Sequence, residues 1–180
     1  MQGCLYGSLK GEKKLAPELQ KVQKYLAGFG LADRVKELDQ TSATAQQAAQ
    51  ALQVGPGCIA KTISLKKGDG CVLIVTSGDR KIDNAKFKHT FGLRAKLLST
   101  NEVLPLTGYP IGSVCPFCCA DTAQVWLDVS LRRFSRVYPA AGTSNSVAAL
   151  TCAELERAGH STGWVDVCKP MTPRKEGTVQ

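Results

Sequence analysis

The chain has 180 residues, 43% hydrophobic and 21% charged, and its 23 lysines and arginines outnumber 15 acidic residues for a formal charge of +8. This is room for one domain with a sizeable core, and no apolar run approaches the roughly 18–20 residues that a membrane-crossing helix needs. The positive excess favours polyanions, nucleic acid first among them. Part of it sits near the two ends (Lys10, Lys13, Lys14, Lys169, Arg174, Lys175), where basic residues often serve only solubility.

Residues 1–16 are polar and read as a flexible extension with no secretory signal, which places the protein in the cytoplasm. From Pro17 the pattern turns helical: Leu19, Val22, Leu26 and Phe29 recur at three- and four-residue steps, and Gly28 and Gly30 suit the end. Val35 and Leu38 fit a short edge strand over 34–39. Thr44 with Gln47 forms a capping box that opens an Ala-rich helix through Leu52, stopped by Gly55-Pro56-Gly57. Strands are expected over 58–65 and 71–76, joined as a hairpin through Lys67-Gly68-Asp69-Gly70, the second buried on both faces. A helix follows over 83–91, ended by Gly92. Leu93–Leu98 reads as a strand, and Ser99 with Glu102 caps a short helix that Pro105 limits.

Thr107 to Phe117 carries glycine at 108 and 112 and proline at 110 and 116, a spacing that no helix or strand survives, yet it holds Tyr109, Ile111, Val114 and Phe117. It reads either as a rigid binding loop anchored by apolar side chains, with a glycine where backbone comes close to something, or as a packed connection. Strands are then expected over 123–129 and 134–138, a polar turn over 142–146, and a strand over 147–150 that runs into a helix capped by Thr151 with Glu154. A last strand spans 164–168. The whole reads as one α/β domain over 17–169 with a mixed sheet, followed by a tail over 170–180.

Lys61 is the unusual residue, a cation inside Ile59-Ala60-Lys61-Thr62-Ile63. It is either a lysine on the solvated face of an edge strand or a cation projecting into a cleft toward phosphate or carbonyl oxygen. Backbone N–H groups over 112–115 offer a cradle for an anion or oxyanion, and 142–145 is a second such loop or a plain polar turn. Cys115-Pro116-Phe117-Cys118 has the C-x-x-C form of dithiol oxidoreductases, but no helix pattern follows it. Zinc would need a fourth ligand beyond Cys115, Cys118 and Cys119, and with only His89 and His160 in the chain a histidine-based catalytic triad is poorly supported. No phosphate-loop or dinucleotide fingerprint occurs. Neither a metal nor a cofactor is expected.

Taken together, Ile59-Ala60-Lys61-Thr62, the run Leu106-Thr107-Gly108-Tyr109-Pro110-Ile111-Gly112-Ser113-Val114-Cys115-Pro116-Phe117, Asp128, and Gly142 before a strand resemble the YbaK/prolyl-tRNA-synthetase-associated editing domain family, over nearly all of 20–168. The resemblance implies a single α/β domain whose mixed, barrel-like sheet is surrounded by helices. It also implies hydrolysis of the ester in mischarged aminoacyl-tRNA, in trans to the synthetase, by water or a group of the substrate itself. Carried over, Lys61 holds a phosphate or ribose oxygen of the terminal nucleotide, and amides at Gly112 and Ser113 bind the aminoacyl carbonyl and its oxyanion. Thr44, Val114, Cys115, Pro116, Asp128, Gly142 and Thr143 complete the substrate pocket. The implied partners are the acceptor end of tRNA and prolyl-tRNA synthetase, with no membrane. Arg80, Lys81, Lys86, Lys88, Arg132 and Arg133 are candidate RNA contacts.

Three departures stand out: Ser113 where several members have glycine, the pair Cys118-Cys119, and Pro139-Ala140-Ala141-Gly142 where the alanine-specific branch has a histidine. The last points away from that branch, and the motif set as a whole is closer to the branch acting on Cys-tRNA(Pro) or a similar small amino acid on tRNA. A non-catalytic tRNA or nucleotide-binding module and a C-x-x-C redox protein are the alternatives.

Overall fold

A two-residue turn at Gly68-Asp69 folds β2 (Ile59–Lys67) back on β3 (Gly70–Ser77), and the rest of the chain is built onto this hairpin. The computed structural model describes residues 16–38 and 44–171. With β5 (Ala123–Asp128), β6 (Tyr138–Pro139) and β8 (Gly163–Val165), β3 is central in a five-stranded sheet of order β6-β2-β3-β5-β8, antiparallel to β2, while the other pairings are parallel. It is apolar throughout because both faces are covered. Cys71, Leu73 and Val75 face one core with α1 (Pro17–Ala27), Tyr109, Phe117 and α5 (Cys152–Ala158). Val72 and Ile74 face a second core with Phe87 of α3 (Asn84–Phe91), Val165 and Val167. This is a curled mixed sheet with helices around it, as the resemblance implies.

Local signals act where expected. Thr44 Oγ1 accepts from Gln47 N and Gln47 returns the bond, so α2 (Ala45–Leu52) starts on a true capping box. The short strand near residue 35 is β1 (Val35–Glu37), paired with β7 (Ser146–Ala148). The residues expected to form the terminal extension and tail fall mostly outside the described ones, and β9 (Cys168–Pro170) carries the fold one residue past the expected boundary at 169.

Four expectations are corrected. The strand over 93–98 is a single bridge at Leu97, which bonds β2 through Lys96 and Leu98 before Ser99 begins α4 (Thr100–Thr107). α4 runs through Pro105 to the Gly108 cap, because the lost bond falls on Asn101 in the first turn while a capping box and the buried Thr107 hydroxyl, bonded to Val103 O, hold both ends. The strand over 134–138 shrinks to β6 (Tyr138–Pro139), since a 3₁₀ turn over Val129–Arg133 ends at Phe134, whose ring packs beneath Gly57. The last strand splits into β8 (Gly163–Val165) and β9. Between them Val167 N donates to Asp128 Oδ2, steering β9 onto β4 (Arg80–Ile82), a strand that the sequence pattern does not announce.

Candidate active site

β2 has an open stretch. β6 pairs with Ile59 and Ala60 only, and the chain at 96–98 bonds Ser64 and Lys66, so among the described residues the outer edge between them carries no strand. A cavity of about 350 Å³ lies along this gap. Its walls come from Lys61, Thr62 and Ser64 of β2, from Thr44 and Ala48 of α2, from Ile111, Gly112 and Val114, and from Tyr138, Thr143, Ser144 and Ser146. The lysine and the glycine–proline loop therefore share one hollow.

Lys61 lines the cavity, and its Nζ donates to the Arg80 carbonyl at 2.7 Å with Met171 Sδ at 3.7 Å. Burial lowers its pKa, opposed by Cys168 and Asp79. The carbonyl and the thioether leave one of the three ammonium hydrogens for a ligand. Among the described residues it is the only charged one in the cavity wall, which contains no described Asp, Glu, His or Cys.

The loop is rigid for identifiable reasons. Tyr109 is fully buried and its hydroxyl donates to Phe117 O at 2.7 Å, closing the bend, while Lys21 lies 5.3 Å over its ring. Gly112 has φ +83°, and a Cβ there would meet nothing within 4 Å. Glycine is required at 112 for backbone conformation, not for the close approach expected there. Ser113 N donates to Pro110 O, so this amide closes a turn; the N–H groups of Gly112 and Val114 have no partner among the described residues.

Of the ten site residues carried over, Thr44, Lys61, Gly112, Val114 and Thr143 line the cavity. Ser113, Cys115, Pro116, Asp128 and Gly142 do not. Cys115 is fully buried, its thiol pushed up to about 11 by burial. Pro116 packs against Gly159 at the end of α5. Asp128 is buried, and its carboxylate accepts from Ser130 N and Val167 N, a structural clamp facing a separate hollow beside Arg133 and Lys169. Gly142 has φ +94° and sits so close to α1 that a Cβ would come within 2.7 Å of Glu18 O. It thereby sets the position of Thr143, whose hydroxyl is bonded to Asn145 and Ser146. The polar wall residues that sequence reasoning passed over are Thr62, Ser64 and Ser146, while Ser144 lies in the second loop it singled out. The alternation of β2 next to Lys61 was the available signal for the first two.

The basic candidates are mostly engaged. Arg133 forks onto Asp79 at 2.6 and 3.0 Å, Lys86 bonds Asp166 at 2.7 Å, and Arg132 stacks 4.1 Å over Trp164. Lys81 and Lys88 are exposed, with no ion pair among the described residues.

An aminoacyl-tRNA editing domain model matches residues 39–158, two thirds of the chain. The chain belongs to the aminoacyl-tRNA editing domain family. The Bacillus subtilis (strain 168) uncharacterized protein YwhH is 46% identical over 152 residues, covering 84% of this chain and 97% of that protein. A proline–tRNA ligase of Bacillus pumilus (strain SAFR-032) is 31% identical over 90 residues, 49% of this editing-domain chain and 16% of the ligase. A solved structure described as a candidate trans-editing enzyme for prolyl tRNA synthetase superposes with a TM-score of 0.79 at 29% identity, over 87% of this chain and 99% of that one. Among the described residues no helix is long and apolar enough to cross a membrane.

Proposed function

We propose that the protein is a trans-acting deacylase that hydrolyses mischarged aminoacyl-tRNA, with Cys-tRNA(Pro) or another small amino acid on tRNA as substrate. The observation that carries this reading is that Lys61 and the Gly112 loop of an editing-domain chain line one cavity. Among the described residues the wall holds no carboxylate, imidazole or thiol to activate its Thr and Ser hydroxyls, so in this reading the nucleophile is water or a group of the substrate.

The water oxygen attacks the ester carbonyl carbon, and negative charge grows on the carbonyl oxygen. The bond to the ribose oxygen then breaks, and that oxygen takes up the proton which the water loses. Lys61 would hold a phosphate or ribose oxygen of the terminal adenosine. The N–H groups of Gly112 and Val114 are the loop donors available to the oxyanion, because Ser113 N is already bonded to Pro110 O. Apolar walls from Ala48, Ile111 and Val114 and the positive Lys61 suit a small neutral side chain. Exposed Lys81 and Lys88 would attract acceptor-stem phosphates without regard to sequence. Prolyl-tRNA synthetase, as the source of the mischarged product, is the proposed partner, and the cytoplasm the proposed location.

A wall without a carboxylate or imidazole among the described residues equally suits a module that binds the aminoacyl end without cleaving it. Incubation with a panel of mischarged tRNAs separates the two. Faster loss of one amino acid than in buffer supports the deacylase, whereas tight binding with no loss supports the module.

A further inference from the structure

We propose that the open edge of β2 at Thr62 is the binding rail for the aminoacyl group, which pairs with the Thr62 main chain as a one-residue antiparallel strand. This rests on the deacylase reading for its ligand but not for its geometry. Lys67 and Gly70 flank the hairpin turn, so the odd-numbered residues of β2 bond to β3 and the even-numbered ones face outward. Two bonds confirm the phase: Leu98 N donates to Ser64 O, and Lys66 N donates to Lys96 O. Ala60 faces β6. Thr62 lies between these two attachments, and its outward N–H and C=O have no partner among the described residues, at a position that lines the cavity. Its hydroxyl is also buried without a hydrogen bond. A strand edge normally has its exposed groups paired, covered or hydrated, and here the space beside it is a cavity shaped by the editing loop.

The chemistry of an α-aminoacyl ester matches this edge. Its amino group donates to Thr62 C=O, and its carbonyl accepts from Thr62 N–H, the reciprocal exchange that one residue makes across an antiparallel ladder. The carbonyl's second lone pair is left for the loop amides, so Thr62 N–H becomes an oxyanion donor on the side opposite Gly112. A substrate without an α-amino group cannot make the pair, because nothing is left to donate to Thr62 C=O. The site therefore takes α-aminoacyl esters and rejects acyl esters that lack the amino group.

The test uses the full chain, ¹⁵N-labelled, with 3′-(L-cysteinylamino)-3′-deoxyadenosine, in which an amide replaces the labile ester, and its des-amino derivative, in which a 3-sulfanylpropanoyl group replaces the cysteinyl group. In the free protein the Thr62 amide should exchange with solvent faster than those of Lys61 and Ile63. The analogue should protect it, and removal of the amino group should weaken binding at least about tenfold, as expected for the loss of one good hydrogen bond. Thr62→Pro, which removes an N–H not used by the β2–β3 ladder, should weaken binding by a similar factor. An unchanged Thr62 amide at saturating analogue, equal affinity for the des-amino compound, or no binding at all would overturn the proposal. Turnover is not read here, so failure of the mischarged-tRNA panel with Thr62 protected would remove the deacylase reading and leave the pairing standing.

Discussion

Replacing Gly142 by alanine probes how the cavity wall is held against the rest of the fold. Gly142 has φ +94°, and a Cβ built there lies 2.7 Å from Glu18 O, 3.0 Å from Glu18 C and 3.0 Å from Val22 Cγ2. Two costs follow. The backbone conformation alone disfavours an L residue by roughly 1–2 kcal/mol. The collision is with helix backbone, which cannot rotate away, and such overpacking costs roughly a further 1–3 kcal/mol. Gly112→Ala isolates the first cost, since φ there is +83° with nothing within 4 Å of the added methyl. Thermal unfolding followed by circular dichroism should therefore rank wild type above Gly112→Ala and Gly112→Ala above Gly142→Ala. At about 2–4 °C per kcal/mol for a chain of this size, the collision should separate the two variants by roughly 2–12 °C. Equal melting temperatures would refute the reasoning, because α1 would then not be seated on the loop that carries Thr143.

Thr62→Val removes a buried hydroxyl with no partner and should raise stability by about 1 kcal/mol, read as a higher denaturant midpoint at unchanged slope; a fall would mean the hydroxyl is bonded. Asp79 is held at about 2 chiefly by its bonds to Arg133, and Glu102 at about 2 chiefly by Lys66. Both are depressed carboxylates, so their contribution is fully present above the ordinary carboxylate range and is lost as pH falls from about 4.5 toward 2; Arg133→Ala should flatten that acid limb in a pH series of melts. Burial pushes Cys115 up to about 11 and Cys119 up to about 12, and it raises Cys118 as well, the reverse of an activated dithiol. Cys118→Ser should accordingly leave deacylation unchanged; loss of activity would revive the redox alternative.

Elements whose cause lies within a few residues were legible in the sequence. Thr44 with Gln47, Ser99 with Glu102 and Thr151 with Glu154 each announce a helix start, and the Gly68-Asp69 turn announces the hairpin. Lys61 stood out because charge inside an apolar strand is rare. What escaped depends on distant partners. Residues 93–98 have a strand's apolar content, yet they touch β2 at one bridge before Ser99 turns the chain. Asp128 at a strand end looks the same in sequence whether it faces a ligand or accepts Val167 N from 39 residues away. Thr62 matters because of what fails to pair with it, and only the positions of β6 and Leu98 reveal that gap.

The central claim is that Lys61 and the Gly112 loop enclose the aminoacyl end of a mischarged tRNA and promote its hydrolysis. Deacylation rates for a panel of mischarged tRNAs, Cys-tRNA(Pro) included, should be measured with wild type and with Lys61→Ala whose melting curve shows an intact fold. The account predicts release above buffer for at least one small amino acid, and a loss of at least about tenfold in kcat/KM on removing the ammonium group, equivalent to roughly 1.4 kcal/mol of transition-state stabilisation. No release by wild type from any tRNA, or equal release by a folded Lys61→Ala, would contradict it.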